Sequence, residues 1–184
     1  NNRGFIYYGS LAQRNSISRR TFRKYLESAR NWEKFFDVNI RYPYISEEVL
    51  IDGLENCTIL KLNEDELRYI SDFIGIAGLQ SKTHIEKILE KISMKFHIHT
   101  ICLTLGEKGS MIFQDGNFTD YRQEPIEVVD TVGAGDGFSA LFCEGISRKR
   151  PIEEILERAS RFAGKICGQK GAVLKDSDYL EFKI

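Results

Sequence analysis

The chain has 184 residues, 42% of them hydrophobic, enough to bury one sizeable core and at most a second small one. With 26 Lys and Arg against 27 Asp and Glu, the net charge is −1 and no basic stripe is present, which argues against nucleic acid as partner and for a small molecule or another protein. No apolar stretch has the length of a membrane span or the layout of a signal peptide. Cys57, Cys102, Cys143 and Cys167, dispersed in apolar runs without a CxxC pair, read as buried thiols of a reduced cytoplasm. The opening "NNRGFIYYGSLAQR" has no initiator Met and enters a strand-like segment at once, as expected of a piece that starts mid-protein.

In chain order, Phe5 to Tyr8 is apolar and aromatic between Gly4 and Gly9-Ser10 and predicts a buried strand. A helix follows, with Ser18 as cap and Phe22, Leu26 and Ala29 at helical spacing through Trp32. "KFFDVNIR" predicts a second strand with the polar end Asp37 to Arg41. "SEEVLIDGLENC" opens with a Ser cap and an acidic first turn and leads into strand "TILKLN". "NEDELRYISDFI" reads as helix, and "SKTHIEKILEKISMKF" as a second one with Ile85, Ile88, Leu89 and Ile92 on one face. "HTICLTLG" is a continuous apolar strand, "GEKG" turns the chain, and "SMIFQDGNFTDYR" predicts a hairpin about Asp115-Gly116. "IEVVD" predicts one more short strand. Phe138, Leu141, Phe142 and Ile146 then trace a helical face, and "PIEEILERASRFAGKIC" is a final long helix started by Pro151. This alternation predicts a single α/β domain over 1–184, its mostly parallel sheet covered by helices on both faces and made mixed by the hairpin.

In such sheets ligands collect where strands end and helices begin. The informative segments are therefore "GSLAQR", "DVNIR", "KLNEDE", "TLGEKG" and "DTVGAGD". In the last, Gly133 and Gly135 admit backbone conformations closed to other residues, and small Ala134 allows close approach of a ligand. Successive N–H groups at the following helix start can hold an anion, with Asp136 beside it to take a proton. Composition alone fits equally a glycine-rich turn with Asp as a cap. No Walker A loop and no complete GxGxxG occurs, against a P-loop NTPase or a Rossmann dehydrogenase. His97 and His99 share a strand face, but with no third ligand they are not taken as a metal site.

"DTVGAGDGFSA", preceded in order by "KLNEDE" and "TLGEKGS", resembles the PfkB, or ribokinase-like, family of carbohydrate kinases over nearly the whole chain. "GSLAQR" and "FDVNIR" are most similar to the fructokinase and 2-keto-3-deoxygluconate kinase branch, while Leu141 stands where relatives usually carry Gly. The resemblance implies a ribokinase-like fold, with Gly133, Ala134 and Gly135 as anion hole and Asp136 as base for the sugar hydroxyl. It implies that Asn63 and Glu66 position magnesium and phosphate, largely through water, although the same pair fits a helix cap and its capping box. Lys61 would lie near the phosphates, and Thr104, Gly106 and Gly109 would line the nucleotide, the two glycines fitting an ordinary turn as well. Ser160 and Gly171 would belong to the adenine side. Asn39 and Arg41 would face the sugar, or serve as a strand-end anchor and a surface cation.

ATP and Mg2+ are the implied cofactors, and some members also bind a monovalent cation through carbonyls around the positions of Asp130 and Val132. The family's first strands, di-glycine motif, most sugar contacts and β lid have no counterpart in the sequence, which predicts an exposed apolar edge at "FIYYGS" and poor stability alone. The expected function is an ATP-dependent, cytoplasmic, fructokinase-like sugar kinase that binds neither nucleic acid nor membrane, with a homodimer open to the complete protein. Ketodeoxygluconate, ribose or a nucleoside remain open as acceptors, and a non-catalytic nucleotide-binding regulatory protein is the alternative from another class.

Overall fold

The computed structural model describes residues 4–76 and 81–182. Strands β1 (Phe5–Gly9), β2 (Glu33–Asp37), β3 (Ile59–Asn63) and β4 (Thr100–Thr104) pair in parallel, and β5 (Ser110–Gln114) and β6 (Asn117–Tyr121) complete a sheet ordered β1-β2-β3-β4-β5-β6. Each parallel neighbour is reached through helix: α1 (Ser16–Ser28), then α2 (Glu47–Asn56), then α3 (Glu64–Phe73) with α4 (Lys82–Phe96). The β5 to β6 turn places Asp115 at φ 48° and Gly116 at φ 86°, the left-handed pair that a tight primed turn demands. The α/β class and the hairpin are as the sequence predicts. Helices α5 (Ala134–Ser147), α6 (Ile152–Cys167) and α7 (Asp176–Phe182) follow. No helix among the described residues is long and apolar enough to cross a membrane.

The chain divides into two compact units, Asn1–Thr104 with Ile112–Phe118 and Leu105–Met111 with Thr119–Ile184. In the first, successive residues of β3 and β4 are buried, so the parallel strands are covered on both faces. Phe35, Phe36, Leu60, Leu62 and Leu103 fill this core with Leu50, Leu67, Ile70 and Leu89 from the helices. Tyr8 stacks on Phe36 at 5.1 Å and donates its hydroxyl to the Gly53 carbonyl at 3.1 Å. In the second unit Phe138, Leu141 and Phe142 of α5 are buried with Ile155, Leu156 and Ala159 of α6. The bulky residue at 141 is thus absorbed by helix packing.

Four local expectations change. Helix α1 is capped by Asn15, in extended backbone with its side chain accepting the Ile17 N–H, so Ser18 already lies in the first turn; the helix ends at Ser28, short of Trp32. Strand β2 stops at Asp37 because Asn39 takes φ 41°, which no strand accommodates, and 38–41 is a loop. "IEVVD" is no strand: Val128 and Val129 are more than half exposed, and the N–H groups of Val129 and Asp130 donate to the Cys167 carbonyl at the end of α6. Helix α6 is not the last, since α7 follows it, anchored by Arg158 donating to the Phe182 carbonyl at 2.7 Å and by Phe182 against Phe162.

Candidate active site

The first unit gathers polar groups at the carboxyl ends of β1, β2 and β3. Register sets Gly9 beside Asp37 and Asp37 beside Lys61. Lys61, only 7% exposed, donates to both oxygens of Asp37 at 3.0 Å, and the Tyr7 hydroxyl donates to one of them at 2.9 Å. A carboxylate in so dry a place holds the ammonium as an ion pair, because either charge left alone there would cost several kcal/mol, roughly 3–5.

Asn63, the last residue of β3, caps α3. Its side chain accepts the Glu66 N–H and the Glu66 Oε2 accepts the Asn63 N–H, both at 2.9 Å, so the capping box is real. The second Glu66 oxygen accepts the Ile40 N–H at 2.9 Å. Burial pushes the Glu66 carboxyl above its usual range, a shift opposed by these two backbone donors and by nearby Lys61. The loop they hold carries Asn39, half-buried, and Arg41, exposed; Ser10 Oγ donates to the Asn39 carbonyl at 3.1 Å. Thr104, at the end of β4, donates its hydroxyl to the Leu62 carbonyl at 3.4 Å. Among the described residues no group of three or more His, Cys, Asp or Glu could hold a metal ion directly. His97 is the C-cap of α4 in left-handed backbone and His99 precedes β4, bonding Glu33 and Thr100, so the two do not share a strand face as expected.

In the second unit, Gly133 is the N-cap of α5 at φ 84°, and a Cβ there would meet that of Ala172 at 2.3 Å. Both facts call for glycine. Ala134, Gly135 and Asp136 form the first helical turn, with Asp136 exposed, so amides and carboxylate stand together at the positive end of the helix. The approach to this turn is fixed by Asp130, which accepts the Val132 N–H and, from across the chain, the Gly171 N–H, each at 3.0 Å. These bonds hold the Asp130 carboxyl below its usual range. Gly109, at φ 108°, passes so close to β6 that a Cβ would lie 2.0 Å from the Tyr121 carbonyl oxygen; Gly106 precedes it at φ 58° in the same tight turn. Glu107 and Lys108 of this turn, with Arg122 and Ile126, line a pocket of about 690 Å³. Ser160 is buried, and its hydroxyl bonds that of Ser110 at 2.6 Å.

A family profile described as pfkB family carbohydrate kinase matches residues 1–178. The chain belongs to this family. A fructokinase of Escherichia coli is 26% identical over 149 residues, 75% of the chain and 46% of that protein. A 2-dehydro-3-deoxygluconokinase of Haemophilus influenzae is 37% identical over 84 residues, 44% of the chain and 26% of that protein. The structure of a fructokinase from Vibrio cholerae, bound to fructose, ADP and a calcium ion, superposes with a TM-score of 0.81 at 20% identity, over 100% of this chain and 62% of that one. At that identity the likeness is one of fold, and it is ribokinase-like. The chain spans about half the length, or less, of the two curated relatives.

Motif reading singled out neither Asp37, Tyr7 and Ser10 nor the carboxylate of Asp130. One signal for the first was available: a lysine inside the apolar run of β3 needs an acid beside it, and Asp37 ends the neighbouring buried strand.

Proposed function

We propose that the chain is the nucleotide-binding and catalytic part of an ATP-dependent sugar kinase of the fructokinase type, working in the cytoplasm. The observation that supports it best is the start of α5, where Asp136 shares the first turn with the amides of Ala134 and Gly135 behind a glycine cap. In this reading the Asp136 carboxylate takes the proton of the sugar hydroxyl as its oxygen attacks the γ-phosphorus, and ADP leaves. The amides at Gly133, Ala134 and Gly135 hold the transferring phosphoryl group. Lys61, held in place by Asp37, offers its remaining N–H to phosphate. Asn63 and Glu66 orient the water around magnesium, which when bound offsets phosphate charge, and Asn39 and Arg41 bind the sugar. Thr104, Gly106 and Gly109 line the nucleotide.

In the full-length protein Asp136→Asn lowers phosphoryl transfer by about 10²–10⁴-fold while ATP still binds. Unchanged turnover would remove Asp136 from the role of base. A panel of fructose, ketodeoxygluconate, ribose and nucleosides in an ADP-coupled assay identifies the acceptor; the similarity to the Haemophilus enzyme favours ketodeoxygluconate as the second reading. ATP binding without turnover on the whole panel would favour a non-catalytic nucleotide-binding protein instead.

A further inference from the structure

The N-x-x-E glutamate is read above as a group that reaches magnesium through water, yet its two oxygens are already engaged by backbone. Glu66 Oε2 accepts the N–H of Asn63, and Oε1 accepts the N–H of Ile40, 26 positions earlier in the chain, both at 2.9 Å. Glu66 itself is only 7% exposed. Ile40 lies between Asn39 and Arg41 in a loop whose Asn39 sits at φ 41°, a conformation unfavourable for a side-chain-bearing residue and held only by its surroundings. The loop has two other fasteners, the Val38 N–H donating to the Lys61 carbonyl at 3.1 Å and Ser10 Oγ donating to the Asn39 carbonyl at 3.1 Å. Of the three, Glu66 alone joins the loop to the first turn of α3.

We propose that Glu66 is a positioning residue that clasps loop 38–41 to the start of α3, so that one carboxylate sets the acceptor-side residues Asn39 and Arg41 and the phosphate-side residue Asn63 together. The roles of those three residues rest on the function proposed above; the clasp rests on the two hydrogen bonds. The chemistry requires a carboxylate, because two converging N–H donors need a group that only accepts. Glutamine of the same shape satisfies one N–H and turns an NH2 donor on the other, which releases one of the two segments.

The test uses the full-length protein with Glu66→Gln and, as a variant that loosens the loop without touching α3, Ser10→Ala. In ligand-free protein, amide hydrogen exchange at Ile40 or Asn63 accelerates about tenfold or more in Glu66→Gln, as expected for loss of a charge-assisted bond, while core amides such as that of Leu60 keep their rates. Unchanged exchange at both amides overturns the clasp. With the acceptor that the parent enzyme phosphorylates, both variants raise the acceptor KM about tenfold; Ser10→Ala leaves the magnesium concentration for half-maximal rate unchanged, whereas Glu66→Gln, which also loosens the Asn63 side, raises it. A shift in magnesium requirement with an unaltered acceptor KM overturns the proposal in favour of a role through the metal alone. If the parent protein phosphorylates nothing on the panel, the proposed function falls, and the exchange rates still decide the clasp.

Discussion

Lys61 and Asp37 show how a residue's environment dictates its role. A buried ion pair gives little net stability, because desolvation offsets most of the attraction, but removing one partner leaves a charge stranded. Asp37→Asn therefore destabilises the first unit by about 3–5 kcal/mol, read as a shift in the urea midpoint. The joint replacement Asp37→Leu with Lys61→Met recovers most of that stability and none of the activity, which separates structural cost from function. Lys61 was singled out in the sequence through the motif that contains it, as a residue the resemblance would place near phosphate. Its partner was signalled only as a general need for an acid; which acid answers depends on the register of two strands 24 positions apart in sequence, and 37–41 has the pattern of one continuous strand that Asn39 breaks. Glu66 is the reverse case. Cap and active-site readings competed in the sequence, and its second oxygen, on Ile40, belongs to neither.

Among the elements, the turn into α5 is the most constrained. Gly133→Ala meets two penalties, a left-handed φ of 84° and a Cβ 2.3 Å from that of Ala172. It should cost about 1–3 kcal/mol in thermal unfolding. Adding Ala172→Gly restores only part of this, since the Ala172 Cα itself lies 2.9 Å from the new atom and the backbone strain remains. Full recovery would mean that side-chain crowding alone selects the glycine. This turn was legible because its glycines and acid are adjacent in sequence. What failed at this level failed for want of a partner. "IEVVD" has the composition of a strand, but its N–H groups at Val129 and Asp130 go to the end of α6 rather than to a neighbouring strand. Ser46 and Asn63 were readable as caps because each is followed by acids in the first turn, whereas Asn15 lacks that cue and yielded to Ser18 in the pattern.

For the molecule as a whole, the architecture was legible because apolar runs of strand length alternate with helical periodicity, and each parallel pair follows from a helical crossover. The carboxyls that control its response to acid were not legible, because their shifts come from burial and from hydrogen bonds made across the fold. They act in opposite directions. Asp130 is held below its usual range first by the Val132 N–H, and Asp178 first by the Lys165 ammonium. Each binds protons more readily unfolded than folded, so its stabilisation is present above the ordinary carboxylate range near about pH 4 and is lost as pH falls through the folded value. Burial raises Glu66, so the folded state holds that proton more tightly; its contribution is greatest below the ordinary range and is lost as pH rises through the folded value. Urea midpoints measured from about pH 3 to 8 should therefore show a steep acid limb that becomes shallower in Asp130→Asn and in Asp178→Asn. On the other side of the ordinary range, a decline with rising pH should be present in the parent and absent in Glu66→Gln, which has no proton to lose. A decline that persists unchanged in Glu66→Gln would assign it to another group.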